Sequence, residues 1–229
     1  MDMLEFENTS ALDIDLAERV VSLLSAAITA KGSASLVVSG GRTPMGFFHL
    51  LSQQLLDWQR VSITLADERW VEGDHQDSNA KLVRENLLIN EACKAQFIPL
   101  KNNALDARDG EADCEQALAG LGQFTLVILG MGDDGHTASL FPGAEALPLG
   151  LDMDSGRSAI AVSPAEAPHQ RMSMTLPRLL NAEQVIIHIS GASKQDVLQA
   201  AQAGDDVAEL PIRAILNQQV APLSIYWAK

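Results

Sequence analysis

Residues 124–143 join an apolar run, Phe124-Thr-Leu-Val-Ile-Leu129, to a glycine-rich loop carrying Asp133, Asp134 and His136. Carboxylates and an imidazole delivered at the end of a strand can accept and return protons. Glycines in the same loop let the backbone turn tightly and approach a ligand closely. A hydrophobic core needs none of these groups. Gly130, Gly132 and Gly135 match the spacing of the dinucleotide-binding fingerprint, but Asp133 and Asp134 would set two negative charges beside a pyrophosphate. A metal could recruit Asp133, Asp134 and His136, with Asp67 or His75, yet no diagnostic ligand spacing is present. The Gly-x-Ser-x-Gly pentad of a serine hydrolase is absent. Water activated by His136 is therefore the simplest hydrolytic reading. An expected helix start at His136 would favour its neutral form, and the neighbouring carboxylates would oppose that.

Other loops carry charge at comparable places. Ser39-Gly-Gly-Arg-Thr-Pro44 follows a strand and opens a helix, with Thr43 as the expected N-cap and Pro44 at the first helical position. Gly40 and Gly41 free the backbone N–H groups, and Arg42 adds a cation, so the loop suits phosphate or carboxylate. The plainer alternative is a tight, well-capped turn. Asp67, Glu68 and Arg69 begin where a second strand ends; they could bind sugar hydroxyls and an anion, or form a local ion pair on a solvated loop. Arg171 precedes a short extended segment, and Lys194 lies at a Gly/Ser-rich helix start. Either could join the first glycine loop around one phosphate, or stand as a solvated surface charge. His49, His75, His169 and His188 have no comparable setting, and His188 within an apolar strand reads as buried and hydrogen-bonded.

The elements that must position these loops alternate along the chain. Strands are expected at 35–39, 61–66, 125–129, 159–162, 185–190 and 223–227, and helices at 12–30, 44–56, 78–88, 110–119, 193–203 and 211–217. Such alternation implies crossover connections and an α/β fold with a largely parallel, doubly covered sheet. Ligands then bind where strands end and helices begin. Residues 144–156 read as a surface excursion, and 98–108 as a loop or a short edge strand. A single domain, 1–229, is expected. The net charge of −14, from 30 acidic and 16 basic residues, argues against nucleic acid and anionic membranes as partners. Cys93 and Cys114 form no metal or disulfide framework, the N-terminus lacks an export signal, and no apolar run reaches transmembrane length. A cytoplasmic location follows as the expectation.

Five segments in order extend this reading: Ser39-Gly-Gly-Arg-Thr-Pro44, Asp67-Glu-Arg-Trp-Val71, Gly130-Met-Gly-Asp-Asp-Gly-His-Thr-Ala-Ser-Leu-Phe-Pro-Gly143, Arg171-Met-Ser-Met-Thr-Leu-Pro177 and Gly191-Ala-Ser-Lys194. Together they resemble the 6-phosphogluconolactonases of the glucosamine-6-phosphate isomerase/6-phosphogluconolactonase family over nearly the whole chain. The resemblance implies a Rossmann-like fold shared with the sugar-phosphate isomerases and deaminases. It also implies hydrolysis of 6-phospho-D-glucono-1,5-lactone in the pentose phosphate pathway without a metal or organic cofactor, and no obligate protein partner is inferred. It makes His136 the candidate general base, with Asp134 orienting it. Gly41, Arg42, Thr43, Arg171 and Lys194 become candidates for the phosphate site, and Asp67 and Arg69 pocket residues. The related deaminases continue the histidine segment with Glu-Pro, where this chain has Phe141-Pro142. That departure favours the lactonase over the deaminase. A non-catalytic sugar-phosphate sensor would keep Arg171 and Lys194 without needing Asp134 and His136.

Overall fold

The run Ala34–Val38 is buried at all five positions, as a strand covered on both faces must be. It is β2 of a seven-stranded parallel sheet in a computed structural model that describes residues 2–164 and 167–229. In chain order the strands are β1 (Asp2–Phe6), β2, β3 (Val61–Leu65), β4 (Asp67–Arg69), β5 (Gln96–Ile98), β6 (Leu126–Leu129), β7 (Ala159–Val162), β8 (Arg171–Met174), β9 (Val185–Ser190) and β10 (Leu223–Ala228). The helices are α1 (Thr9–Lys31), α2 (Met45–Ser52), α3 (Asn79–Asn86), α4 (Glu111–Ala119), α5 (Leu147–Leu151), α6 (Leu176–Leu180), α7 (Ala192–Gln202) and α8 (Ile212–Leu216). The main sheet runs β1-β10-β9-β6-β2-β3-β5, and β4-β8-β7 form a small antiparallel sheet beside it.

Helix α1 shows why the local sequence folds as it does. Asn8 accepts a hydrogen bond from the Ala11 N–H at 2.9 Å, and Gly32 at φ 84° ends the helix. Leu12, Leu16, Val20, Leu24 and Ala27 recur on one face and are buried. Phe47, Phe48, Trp58 and Phe124 are fully buried in the same core, each contributing about 2–3 kcal/mol relative to exposure. Cys114 lies inside, where burial pushes its thiol up to about 12, and Cys93 is exposed. Among the described residues no helix is long and apolar enough to cross a membrane.

All six expected strands form, but the strand at 159–162 belongs to the small antiparallel sheet and pairs with β8. The expected excursion at 144–156 contains α5, and of the segment 98–108 only Ile98 belongs to the edge strand β5, the rest being loop. Strand β1 carried no apolar run to announce it. Asp2, Met3 and Glu5 are exposed and Leu4 and Phe6 half-buried on this edge strand, which pairs in parallel with β10. Helix α2 is shorter than the expected 44–56 and starts at Met45, with Pro44 flanking it and no side-chain cap. Thr43 therefore does not act as the N-cap. The turn through Gly41, at φ 94°, brings the Met45 N–H onto Arg42 O at 3.3 Å and moves the helix start by one residue.

Candidate active site

The chain crosses the main sheet in both directions from β2 and β6, which are neighbours. Strands β3 and β5 lie beyond β2, whereas β9, β10 and β1 lie beyond β6. Loops leaving the carboxyl ends of two such strands diverge and open a crevice. Ser39 ties the strand ends beneath it, donating from Oγ to Ile128 O at 3.1 Å and accepting from the Gly130 N–H at 3.3 Å. A cleft of about 560 Å³ opens above, and it brings together Gly41, Arg42, Thr43, Asp67, Arg69, His136, Arg171 and Lys194. Asp134 does not line the cleft and reaches it only through His136. A larger cleft of about 730 Å³ lies elsewhere, where Arg157 pairs with Glu111 at 2.8 Å and Gln170 with Asp106 at 2.9 Å. Its polar groups are thus largely committed to one another.

The imidazole is held by its own loop. Nδ1 of His136 stands 2.5 Å from Oδ1 of Asp134, which also accepts from the His136 backbone N–H at 3.2 Å. Above all, the bond to His136 holds the Asp134 carboxyl below its ordinary range, against a smaller opposing effect of burial. An ionised carboxylate can only accept, so Nδ1 donates, and in the neutral ring Nε2 carries the lone pair. Phe141 covers one side of the ring, with centroids 4.2 Å apart. No helix begins at His136. The segment turns through Gly135 at φ 73°, and the next helix is α5, so the expected helix-terminus effect on the imidazole does not arise. A Cβ at Gly132 would overlap His136 Nδ1 and Asp134 Oδ1. Gly132→Ala is therefore expected to displace the imidazole and lower kcat about 10²-fold while KM changes little. Steady-state kinetics check this, and an unchanged kcat would show that the ring position is not critical.

Strand β4 divides its charges by alternation. Asp67 and Arg69 face the cleft, whereas Glu68 is fully buried and accepts from the N–H groups of Arg69, Asn79 and Ala80 and from the Ser78 hydroxyl. It thereby fixes the start of α3 to β4 and is not a cleft residue. Burial raises its carboxyl above the ordinary value despite those bonds. Asp67 is also buried and accepts from Ser139 Oγ at 2.5 Å and Asn79 Nδ2 at 3.4 Å. Asn79 and Ser139 are positioning residues that the sequence did not single out. Asn79 explains Gly40, where a Cβ would collide with its side-chain amide. Ser139 shows no local signal, since its link to Asp67 spans 72 positions.

Arg69 and Arg171 lie directly opposite in the β4–β8 ladder. Like charges so placed repel, and each has a buried Nε without a hydrogen-bond partner among the described residues. Arg171 is buried, which, together with Arg69, pulls its guanidinium below the usual arginine value. Lys194 reaches Asp133 at 2.6 Å, so an anionic ligand would compete with that carboxylate. His188, at the cleft floor, is pushed down to about 4 by burial and is neutral near pH 7. Its Nε2 stands 3.7 Å from Asp13 Oδ1, beyond hydrogen-bond reach, so that pair does not provide the bond expected for it. The arrangement offers one histidine base and a cationic wall in the same crevice.

A family model described as glucosamine-6-phosphate isomerases/6-phosphogluconolactonase matches residues 7–227. The chain is 46% identical over 225 residues to a 6-phosphogluconolactonase of Pseudomonas putida, covering 97% of this chain and 91% of that protein. It is 46% identical over 224 residues to one of Rhizobium meliloti (strain 1021), covering 97% of each. The crystal structure of a 6-phosphogluconolactonase from Shewanella baltica OS155 matches with a TM-score of 0.98 at 42% identity, covering 100% of this chain and 98% of that one. From its strand ends to its near full-length relatives, the chain belongs to the glucosamine-6-phosphate isomerase/6-phosphogluconolactonase family.

Proposed function

We propose that residues 1–229 act as one catalytic α/β unit in the cytoplasm, hydrolysing 6-phospho-D-glucono-1,5-lactone to 6-phosphogluconate in the pentose phosphate pathway. The observation that carries this reading is His136, hydrogen-bonded to Asp134 outside the cleft, standing in one cleft with the opposed Arg69 and Arg171. Nε2 of His136 takes a proton from water as the water oxygen attacks the lactone carbonyl, forming a tetrahedral intermediate. The bond from that carbon to the ring oxygen then breaks, and the imidazolium returns its proton to the leaving oxygen. Asp134 holds the ring and stabilises its transient positive charge. The phosphate lies among Arg171, Lys194 and the loop of Gly41, Arg42 and Thr43, with Arg69 on the same wall, and Asp67 is left to accept a sugar hydroxyl. Binding there supplies orientation rather than bond-breaking power. Phe141 against the imidazole favours a lactonase over a deaminase, which would need a carboxylate at that position.

Hydrolysis of 6-phosphogluconolactone should exceed that of unphosphorylated glucono-1,5-lactone by at least about 10²-fold in kcat/KM, the effect of one or two charge-assisted contacts. Initial rates corrected for spontaneous opening measure this. Equal turnover of the two lactones would remove the phosphate subsite from the reading, and no turnover of either would remove the lactonase.

A further inference from the structure

A second set of chemistry-bearing side chains lies beside the cleft and takes no part in the hydrolysis. His75 and Asp77 lie between β4 and α3, and His169 lies just before β8. Among the described residues this is the one set of three or more His, Cys, Asp or Glu whose donor atoms all fall within 4.8 Å of one another. We propose that His75, Asp77 and His169 bind a transition-metal dication of the Zn²⁺ class, which ties the segment before α3 to the segment before β8.

The donor set decides the class of ion. Two imidazoles and one carboxylate suit Zn²⁺, whereas Mg²⁺ and Ca²⁺ prefer oxygen ligands. A tetrahedral zinc with bonds of 2.0–2.1 Å holds its ligands about 3.3 Å apart. Oδ2 of Asp77 lies 3.0 Å from Nε2 of His169 and 3.8 Å from Nδ1 of His75, so the observed spacings bracket that value. Nδ1 of His75 accepts from the Asp77 N–H at 3.1 Å, so it is the unprotonated nitrogen, and a metal bound there displaces that hydrogen bond to take its single lone pair. The two rings stand edge to face with centroids 5.2 Å apart. His169 adopts φ 70°, a left-handed backbone uncommon for a residue with a side chain. The side chains are 39%, 41% and 28% exposed for His75, Asp77 and His169, so water can complete the coordination. The same segments hold the cleft arginines: Arg69 donates from Nη1 to Asp77 O at 2.8 Å, and Arg171 from Nη2 to Pro168 O at 3.2 Å. An ion at this position fastens both backbones without touching the reacting lactone. The competing account is a hydrogen-bonded His–Asp–His surface cluster that needs no ion.

Calorimetric titration of chelator-treated protein with ZnCl₂, and separately with MgCl₂, tests the site. The expected result is one Zn²⁺ per chain with roughly micromolar affinity, no Mg²⁺ binding, and a Zn²⁺-dependent rise in Tm. Binding should weaken at least about tenfold in His75→Ala and in His169→Ala, and stay unchanged in Cys93→Ser, which removes the exposed thiol as a rival ligand. Circular dichroism checks folding, and Asp77→Asn replaces any histidine variant that fails to fold under the same criterion. No saturable Zn²⁺ binding, equal Mg²⁺ binding, or Zn²⁺ affinity retained in the variants would overturn the proposal. Because the readout is binding, its outcome is separate from that of the lactone assay.

Discussion

His136→Ala is expected to lower kcat for 6-phosphogluconolactone by about 10²–10⁴-fold, the range for removal of a positioned general base, while KM stays within a few-fold of the original. The ring sits at the cleft edge, 29% exposed, and Phe141 rather than the deep core packs against it, so the variant should keep its Tm. Rapid-mixing assays with freshly prepared lactone, at matched folding, measure both constants. A kcat within a few-fold of the original would sink the base role. A loss of kcat together with a large fall in Tm would instead make His136 a structural residue. Asp134→Asn should lower kcat by a comparable factor, because an amide donating to Nδ1 leaves the ring proton on Nε2, where the base needs its lone pair. Acid provides a second view of the pair. The Asp134 carboxyl is lowered by its bond to His136, so its contribution to stability is complete above the ordinary carboxylate value and is lost only as pH falls through the lowered folded value. The loop should therefore hold through neutral and mildly acidic conditions and loosen only below about pH 4.

The second large effect concerns substrate affinity. Arg171→Met should raise KM for the phosphorylated lactone about 10–150-fold, which corresponds to loss of about 1.5–3 kcal/mol of charge-assisted hydrogen bonding. It should also leave Tm unchanged or raise it in phosphate-free buffer, since the substitution relieves the repulsion from Arg69 and exchanges a buried, incompletely bonded guanidinium for an apolar chain. Inorganic phosphate should raise the Tm of the original protein but not of the variant. Arg178 supplies the control. It too has a buried Nε without a partner, but it donates to Gly122 O and Leu118 O and lies 3.7 Å over the Phe124 ring. Arg178→Met should therefore cost about 1–3 kcal/mol of stability and leave KM unchanged. If Arg171→Met behaved like Arg178→Met, the phosphate reading of Arg171 would fail.

Much of the main sheet was legible because its strands are short apolar runs covered on both faces, a pattern that local sequence states directly. The strand end carrying Asp134 and His136 could be read for the same reason. Strand β1 escaped because acidic residues at an exposed edge satisfy no apolar pattern, and only pairing with β10 makes it a strand. Of the small sheet it was β4 that escaped, because it is three charged residues, Asp67–Arg69, with no strand character of its own. It forms through its ladder with β8, far along the chain. Glu68 was grouped with its neighbours by sequence, and the alternation of that short strand turned it away from them to cap α3.

The sequence by itself determined which kinds of groups would gather at the strand ends: a histidine with acidic neighbours, glycine turns and a few cations in an acidic chain. Its warrant is local, since turn geometry and strand periodicity are set by residues within a few positions of each other. Only the tertiary structure decided which of those groups share a cleft, that Asp134 stays outside it while bonding His136, and that Asn79 and Ser139 bond Asp67. It alone opposed Arg69 to Arg171 and brought His75 and Asp77 to His169. Those pairings come from packing β4 against β8, and a contact between segments so distant leaves no periodic trace in either of them.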